Sequence, residues 1–381
     1  MDYRTSIIHT GKDQDPYTGA TSIPVYQTST YVQEDPTDFT RFQYSRDVNP
    51  TREALEHTVA TLEGGVQGFA FASGMAAIGS VLLLLKSGDH IVVGEDAYGG
   101  TYRLLTTLFK QWGLDATFVD SSDPERIKAA ITPKTRAIYV ETPSNPILKI
   151  TDLAAVAAIA REHGLLSIVD NTFMSPYLQH PLRFGFDIVV HSATKFLGGH
   201  SDLIAGVVVA REEEWAGRMK TLQNSFGAIL GPQDSWLLLR GIKTLAARLD
   251  AEQKSAQTLA TWLTERPEIK RVNYPTLPSH PGREIHLAQA DGGGAVLSFE
   301  LPDAGAAQRF LRGVRLPLLA LSLGGVESIV SYPATMSHAP LSPEQRLALG
   351  VSDALVRLSV GLESAEDLKE DLAQALEKAV A

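Results

Sequence analysis

The sequence has 381 residues, too many for one compact core, so two domains are the natural expectation. With 44% apolar and 20% charged residues it has the makeup of a folded chain, and its formal net charge of −10 argues against a nucleic-acid backbone as partner. It has no cysteine, which excludes disulfides and thiolate metal sites, and its most apolar stretch, residues 75–85, is far shorter than the roughly 20 residues of a membrane span.

The opening MDYRTSIIHTGKDQDPYTG is polar and lacks a signal-type apolar core, so a cytoplasmic location is expected. Residues 1–50 carry many turn formers and little helical periodicity, which predicts an extended arm of the kind that reaches a neighbouring subunit. At its end Asn49 can cap a helix, Pro50 can occupy the first turn, and Gly64-Gly65 can close it. Residues 67–71 read as a strand, and Ala72-Ser73-Gly74-Met75 opens an apolar helix running to about Lys86. A strand, a small-residue turn and a helix N-terminus make an anion site, because free first-turn amides point outward. Capping alone would also explain the serine.

From residue 90 onward strands and helices alternate. Strands are expected near 90–93, 115–119, 135–141, 165–170 and 186–190, and helices near 101–112, 123–131 and 152–163, the last capped by Thr151 and closed by Gly164. This is the pattern of a mainly parallel, doubly wound α/β sheet. Several strand ends deliver polar groups. Tyr98-Gly99-Gly100 follows one, and Glu141-Thr142-Pro143-Ser144-Asn145-Pro146 ends another. Tyr98 could stack on a ring and Asn145 could bond a ring hydroxyl or a substrate carboxylate, although both residue types are also ordinary in turns.

Two further strands end in Asp170 and in His191-Ser192-Ala193-Thr194-Lys195. Ligands of open α/β sheets sit outside the carboxyl ends of the strands, so Asp170 and Lys195 are expected to face one crevice. That pairing suggests pyridoxal phosphate. The cofactor needs an amine for a Schiff base, a carboxylate to keep its pyridine nitrogen protonated, and hydroxyls or amides for its phosphate. Lys195, Asp170, Ser192 and Thr194 are of those types, whereas a lysine after a strand is, by itself, more often a solvated charge.

After a strand at 203–210, residues 232–265 read as one long helix with Pro267 beyond its end. The domain boundary is expected near residue 255, giving an arm (1–50), a cofactor-binding α/β domain (51–255) and a C-terminal α+β domain (256–381). The last holds strands at 272–274, 295–301 and 355–360 and helices near 303–312 and 364–379. Arg357, inside an apolar strand, needs a partner for its charge, and a bound carboxylate and a structural salt bridge are equally open.

Taken together and in order, Tyr44-Ser45-Arg46 with Asn49-Pro50-Thr51, Ala72-Ser73-Gly74-Met75, Tyr98-Gly99-Gly100, the 141–146 segment, Asp170-Asn171-Thr172, Ser192-Ala193-Thr194-Lys195, Ser322-Leu323-Gly324-Gly325 and Arg357-Leu358-Ser359-Val360-Gly361 resemble the Cys/Met-metabolism family of pyridoxal-phosphate enzymes. The resemblance covers nearly the whole chain. It implies an aminotransferase-like (type I) fold, an amino-acid substrate, and a homotetramer of two catalytic dimers. It further implies Lys195 as Schiff-base lysine and proton carrier, Asp170 on the pyridine nitrogen, and Tyr98 stacked on the ring. The amides of Gly74 and Met75 with the hydroxyls of Ser192 and Thr194 would hold the phosphate, Thr172 completes the cofactor set, and Tyr44 and Arg46 would reach the phosphate of the adjacent subunit. Tyr98 and Tyr44 join Lys195 in the catalytic set. Arg357, helped by Asn145, Ser322 and Leu323, would bind the substrate carboxylate. One departure is Asp47-Val48 before Asn49, where relatives often have Ser/Thr-Gly.

Within that family many γ-synthases and γ-lyases carry a glutamate just before the position of Ser322, where this chain has Leu321. A glutamate attracts the amine of a second amino acid, a charge-assisted contact worth about 1.5–3 kcal/mol. The expectation is therefore a cystathionine β-lyase type of C–S lyase, with γ-elimination beside it and cystathionine γ-synthase as runner-up. A reading of another class, a metal-dependent hydrolase using Asp170, His191, His200 and Asp202, has suitable ligand types. It leaves Ser73-Gly74, Tyr98 and Arg357 unexplained, so no metal is expected.

Overall fold

The computed structural model describes residues 2–11, 15, 17–339 and 341–380; positions 1, 12–14 and 16 of the polar opening stretch lie outside them. The larger sheet is built from β1 (Gln67–Phe71), β2 (His90–Gly94), β3 (Asp115–Val119), β4 (Thr135–Glu141), β5 (Leu166–Asp170), β6 (Ile188–His191) and β7 (Gly206–Ala210). Their order is β1-β7-β6-β5-β4-β2-β3. The strands from β3 to β6 in that order run parallel, while β7 is antiparallel to both β6 and β1. The central strands are runs of branched side chains buried on both faces, as helix-covered parallel strands require. Winding goes from β2 out to β3, then returns to β4 on the other side of β2 and proceeds to β5 and β6. The carboxyl ends of these strands therefore open on a crevice.

The smaller sheet contains β8 (Arg271–Asn273), β9 (Val296–Glu300), β10 (Leu318–Leu319), β11 (Ile329–Ser331) and β12 (Leu355–Ser359), in the order β10-β11-β12-β9-β8. The helix Leu245–Thr264 serves both layers: Leu245, Ala246 and Leu249 pack into the core of the larger sheet, and Ala256, Leu259, Ala260 and Leu263 into that of the smaller. One helix thus contributes to the cores of both sheets.

Several expected elements take a different form. The single helix over 232–265 is two, Pro232–Ile242 and Leu245–Thr264, because the Gly241 carbonyl is taken by the Thr244 hydroxyl (3.1 Å) and by Arg248 (3.0 Å) instead of continuing the helical ladder. The cap of Leu153–Glu162 is Asp152, whose carboxylate accepts from the Ala155 amide, while the Thr151 hydroxyl is shared with Ser121 at 2.7 Å. The helix expected over 101–112 starts at Gly99 and widens to a π-turn over Leu104–Leu108. The strand expected over 203–210 begins only at Gly206. Among its described residues the arm contains a helix, Tyr3–His9, and otherwise only the Thr30–Tyr44 bridge. Asn49 caps Pro50–Glu63 through its side-chain oxygen, and Gly64 closes that helix at φ 80°. No helix among the described residues is long and apolar enough to cross a membrane.

Candidate active site

A cavity of about 450 Å³ lies at the crevice, a size that suits a small-molecule site. Gly74, Met75, Tyr98, Asn145, Asp170, Thr172, Ser192, Thr194, Lys195, Leu321, Ser322, Leu323 and Arg357 all line it. Residues as far apart in the chain as Ser73 and Arg357 are thus brought together. A larger cavity of about 570 Å³, between the arm, helix Pro50–Glu63 and the start of β1, holds none of these groups.

Asp170 ends β5, in register with Glu141 at the end of β4. The Thr172 amide (3.0 Å) and hydroxyl donate to Asp170 Oδ1, and the Tyr139 hydroxyl donates to Oδ2 at 3.3 Å. Thr172 Oγ1 also accepts the Ser192 amide at 2.8 Å, so one hydroxyl ties the loop after β5 to the loop after β6. Burial pushes the Asp170 carboxyl up from its ordinary range, against the pull of the Thr172 hydrogen bonds. Glu141 is pushed well above its range, by burial first and then by Asp170 and Asp96. A cation beside Asp170, such as a protonated pyridine nitrogen, would favour its charged form against that burial.

Ser73 caps helix Gly74–Leu82, its hydroxyl accepting from the Ala76 amide at 3.0 Å. That leaves the Gly74 and Met75 amides as first-turn donors with no carbonyl behind them. Glycine is required at 74, where a Cβ would lie 2.8 Å from the Cβ and Oγ of Ser192. The helix end can therefore close on Ser192 and form a cradle for an anion. The Thr194 hydroxyl is engaged with Ala205, accepting its amide at 3.0 Å and donating to its carbonyl at 3.2 Å. To serve a phosphate it must turn its proton away from that carbonyl.

Lys195 Nζ donates to Ser322 Oγ at 2.6 Å. Burial, with Arg357 nearby, lowers this amine to about 8. Ser322 sits at φ 97°, a conformation unusual for any residue but glycine. Arg357, on β12 and buried, donates from Nη1 to Asn145 Oδ1 at 2.8 Å and from Nη2 to the Ser322 carbonyl at 2.6 Å; Nε has no partner among the described residues. Burial pulls this guanidinium down to about 10, opposed by Glu141 and Tyr98. A buried cation with an idle donor is suited to an incoming carboxylate.

Tyr44 and Arg46 do not line the cavity of their own chain. The Arg46 guanidinium lies 5.2 Å from the Tyr44 ring centroid, and its Nε donates to Asn224 at 3.3 Å. Asp47, at the point of departure from the family pattern, pairs with Lys220 at 3.0 Å. The four ligands of the metal reading do not assemble: His191 Nε2 is 2.6 Å from Glu63 Oε1 in a buried pair, and His200 Nδ1 bonds the Gly198 carbonyl. Among the described residues no group of His, Cys, Asp or Glu could hold a metal ion.

Glu141 was legible as a polar strand end but not as part of the wall. Its Oε2 accepts the Tyr98 amide at 3.0 Å, and the Asn145 amide also donates to it, so it ties the loops carrying both residues. Gly100 gave no signal beyond a turn, yet a Cβ there would lie 2.5 Å from the Tyr98 ring and 2.6 Å from Met75 Sδ.

A doubly wound sheet with a half-buried lysine and a buried carboxylate after neighbouring strands, and an amide cradle beside them, belongs to the pyridoxal-phosphate enzymes of the aminotransferase-like type. Comparison with known proteins narrows the class. A family model described as Cys/Met metabolism PLP-dependent enzyme matches residues 4–377, and the chain belongs to that family, with pyridoxal 5′-phosphate as cofactor. It is 51% identical over 374 residues to cystathionine beta-lyase MetC of Bacillus subtilis (strain 168), covering 98% of this chain and 96% of the relative. It is 50% identical over 377 residues to cystathionine gamma-lyase of the same organism, covering 99% and 100%. The crystal structure of cystathionine gamma-lyase from Lactobacillus plantarum complexed with L-serine superposes with a TM-score of 0.98 at 48% identity, over 100% of both chains.

Proposed function

We propose that the protein is a carbon–sulfur lyase of the cystathionine β-lyase type, forming homocysteine, pyruvate and ammonia from cystathionine, with γ-elimination as a side activity. The observation that carries this reading is Leu321, which is 66% exposed at the cavity wall. The carboxyls lining the same cavity, Glu141 and Asp170, are both buried at strand ends. Neither is placed to gather the amine of a second amino acid at the mouth, which disfavours γ-replacement. The split of names among relatives, beta-lyase and gamma-lyase, is consistent with both eliminations.

Bound pyridoxal 5′-phosphate supplies an electron sink for the charge left at the substrate Cα. Arg357, steadied by Asn145, holds the substrate α-carboxylate, with Ser322 and Leu323 forming the adjacent wall. Lys195, lowered to about 8, is neutral often enough near that pH to take the Cα proton. Gly74 and Met75 amides with the Ser192 and Thr194 hydroxyls would hold the phosphate, Asp170, fixed by Thr172, would keep the pyridine nitrogen protonated, and Tyr98 would bind the ring. Tyr44 and Arg46, absent from the lining of their own cavity, complete the site of an adjacent subunit in a homotetramer of catalytic dimers, and the cytoplasm is the working compartment.

The test is to incubate the protein loaded with pyridoxal 5′-phosphate with cystathionine and separate the products. Homocysteine with pyruvate supports the proposal. Cysteine with 2-oxobutyrate makes the enzyme a γ-lyase, and efficient cystathionine formation from cysteine and an O-acylhomoserine makes it a synthase.

A further inference from the structure

Arg248 and Glu252 stand one turn apart on helix Leu245–Thr264, both buried and neither lining the cavity. Arg248 Nη2 donates to the Phe196 carbonyl at 2.8 Å and to the Gly241 carbonyl at 3.0 Å, and Nε donates to Thr244 Oγ1 at 3.1 Å. Phe196 directly follows Lys195. The guanidinium fits because residue 199 is glycine, at φ 73°: a Cβ there would lie 2.2 Å from Arg248 Cζ. The Gly199 amide in turn donates to the Lys195 carbonyl at 2.8 Å, and the Gly198 amide to the Ala193 carbonyl at 2.9 Å. The Ser322 loop also approaches this turn closely, since a Cβ on Gly324 would be 2.7 Å from the Phe196 amide nitrogen. The lysine-bearing turn is thus contacted both by a guanidinium and by the loop that carries the lysine's hydrogen-bond acceptor.

Glu252 is wholly buried, and neither of its oxygens has a hydrogen-bond partner among the described residues. Burial pushes its carboxyl up to about 7, Arg248 pulls it down, and Glu363, which accepts from the Ser328 amide and hydroxyl, pushes it up. A solitary buried cation costs several kcal/mol, so a fork needed only for packing would be better made from neutral groups. The cation reaches carbonyls of two separate elements at once, which no neutral side chain of that length can do.

We propose that Arg248, its charge offset by Glu252, is a positioning residue for Lys195, fixing the turn so that the amine returns to one place after each turnover. The inference rests on Lys195 being the cofactor-bearing lysine, so borohydride labelling of the unaltered holoenzyme comes first. Label at another residue overturns both readings; label at Lys195 leaves the brace to be tested separately.

Two variants test it. Arg248→Lys keeps the charge without the fork, and Arg248→Met with Glu252→Gln removes both charges so that none is stranded. With the turn loosened, kcat should fall roughly tenfold or more while KM for cystathionine stays within about twofold, because carboxylate binding lies elsewhere. The pH midpoint of the visible absorbance of the loaded protein should also move, by about half a unit or more. Folded variants with an unchanged midpoint overturn the proposal, whether kcat is preserved or is reduced only in step with thermal stability. If the double variant does not fold, Arg248→Lys decides alone by the same readouts.

Discussion

Arg357 and Asn145 are 212 positions apart in the chain, and their side chains meet at 2.8 Å, joining the smaller sheet to the loop after β4. The contact leaves the Arg357 Nε idle inside the cavity wall. Arg357→Lys keeps a charge but loses the planar fork, forfeiting about 1.5–3 kcal/mol of charge-assisted bonding, or roughly ten- to a hundredfold in KM. The kcat of the saturated enzyme should change far less. Steady-state kinetics with cystathionine check this, and a KM within threefold of the unaltered enzyme would refute the assignment.

The Lys195 amine, lowered to about 8, should make cofactor capture pH-dependent. Only the neutral amine attacks an aldehyde, so capture by the cofactor-free protein should accelerate as pH rises through about 8 and then level off. Ser322→Ala removes the acceptor at 2.6 Å, which favours the charged amine more than the neutral one, and should move the midpoint lower. The growth of visible absorbance after mixing, followed across pH, measures both. A midpoint that rises in Ser322→Ala contradicts this account.

The parts of this architecture legible in the sequence are those where one local rule decides. Short runs of β-branched residues such as Ile188–His191 favour a buried strand, and a polar residue following such a run is conspicuous, as Asp170 and Lys195 are. Where a choice depended on distant partners the signal failed. Thr151 and Asp152 are both good caps, and Ser121 decides between them by taking the Thr151 hydroxyl. The break at Lys243-Thr244 has no proline to announce it and is made by Arg248 and Thr244 competing for one carbonyl. Arg248 itself reads as a charge on an amphipathic helix, because nothing local reveals that Gly199 leaves room for it.

The arm gives a prediction about assembly. Tyr44 is 44% exposed and lies with Arg46 outside its own cavity, so each site should be completed by the neighbour. Arg46→Ala and Lys195→Ala should each be nearly inactive, and mixed oligomers should recover activity, up to about a quarter of normal for randomly mixed dimers with one intact site in each hybrid. The assay needs subunit exchange to be demonstrated by mass. Exchange without recovery would show that the sites are not shared.

Glu252 sets a slope of stability with pH. Its folded value of about 7 lies above the ordinary 4.5, so its contribution is fully present below the ordinary value and is lost as pH rises through about 7. The difference corresponds to about 3 kcal/mol across that window. Glu252→Gln cannot ionise and should flatten this part of the curve, whatever it does to the overall level. Urea midpoints at roughly pH 5 and roughly pH 8.5 for both proteins measure the slope, and parallel curves would rule this origin out.

Leu321 offers the sharpest test of which bond breaks. It is exposed, so Leu321→Glu should leave the fold within about 0.5 kcal/mol of its original stability. A carboxylate there would attract the amine of an incoming or departing cysteine, but in a solvent-exposed position the attraction is worth about 1 kcal/mol at most, or roughly fivefold. The ratio of 2-oxobutyrate to pyruvate formed from cystathionine should therefore rise by up to about fivefold, and cystathionine formation from cysteine and an O-acylhomoserine should increase by a similar factor. Raising ionic strength should erode both gains, since the added contact is screened within about 10 Å at 0.1 M salt. Separation of the two keto acids at low and high salt provides the readout. An unchanged ratio in a folded, fully loaded variant would mean that Leu321 does not govern the branch, and that the choice between β- and γ-elimination is made deeper in the cavity.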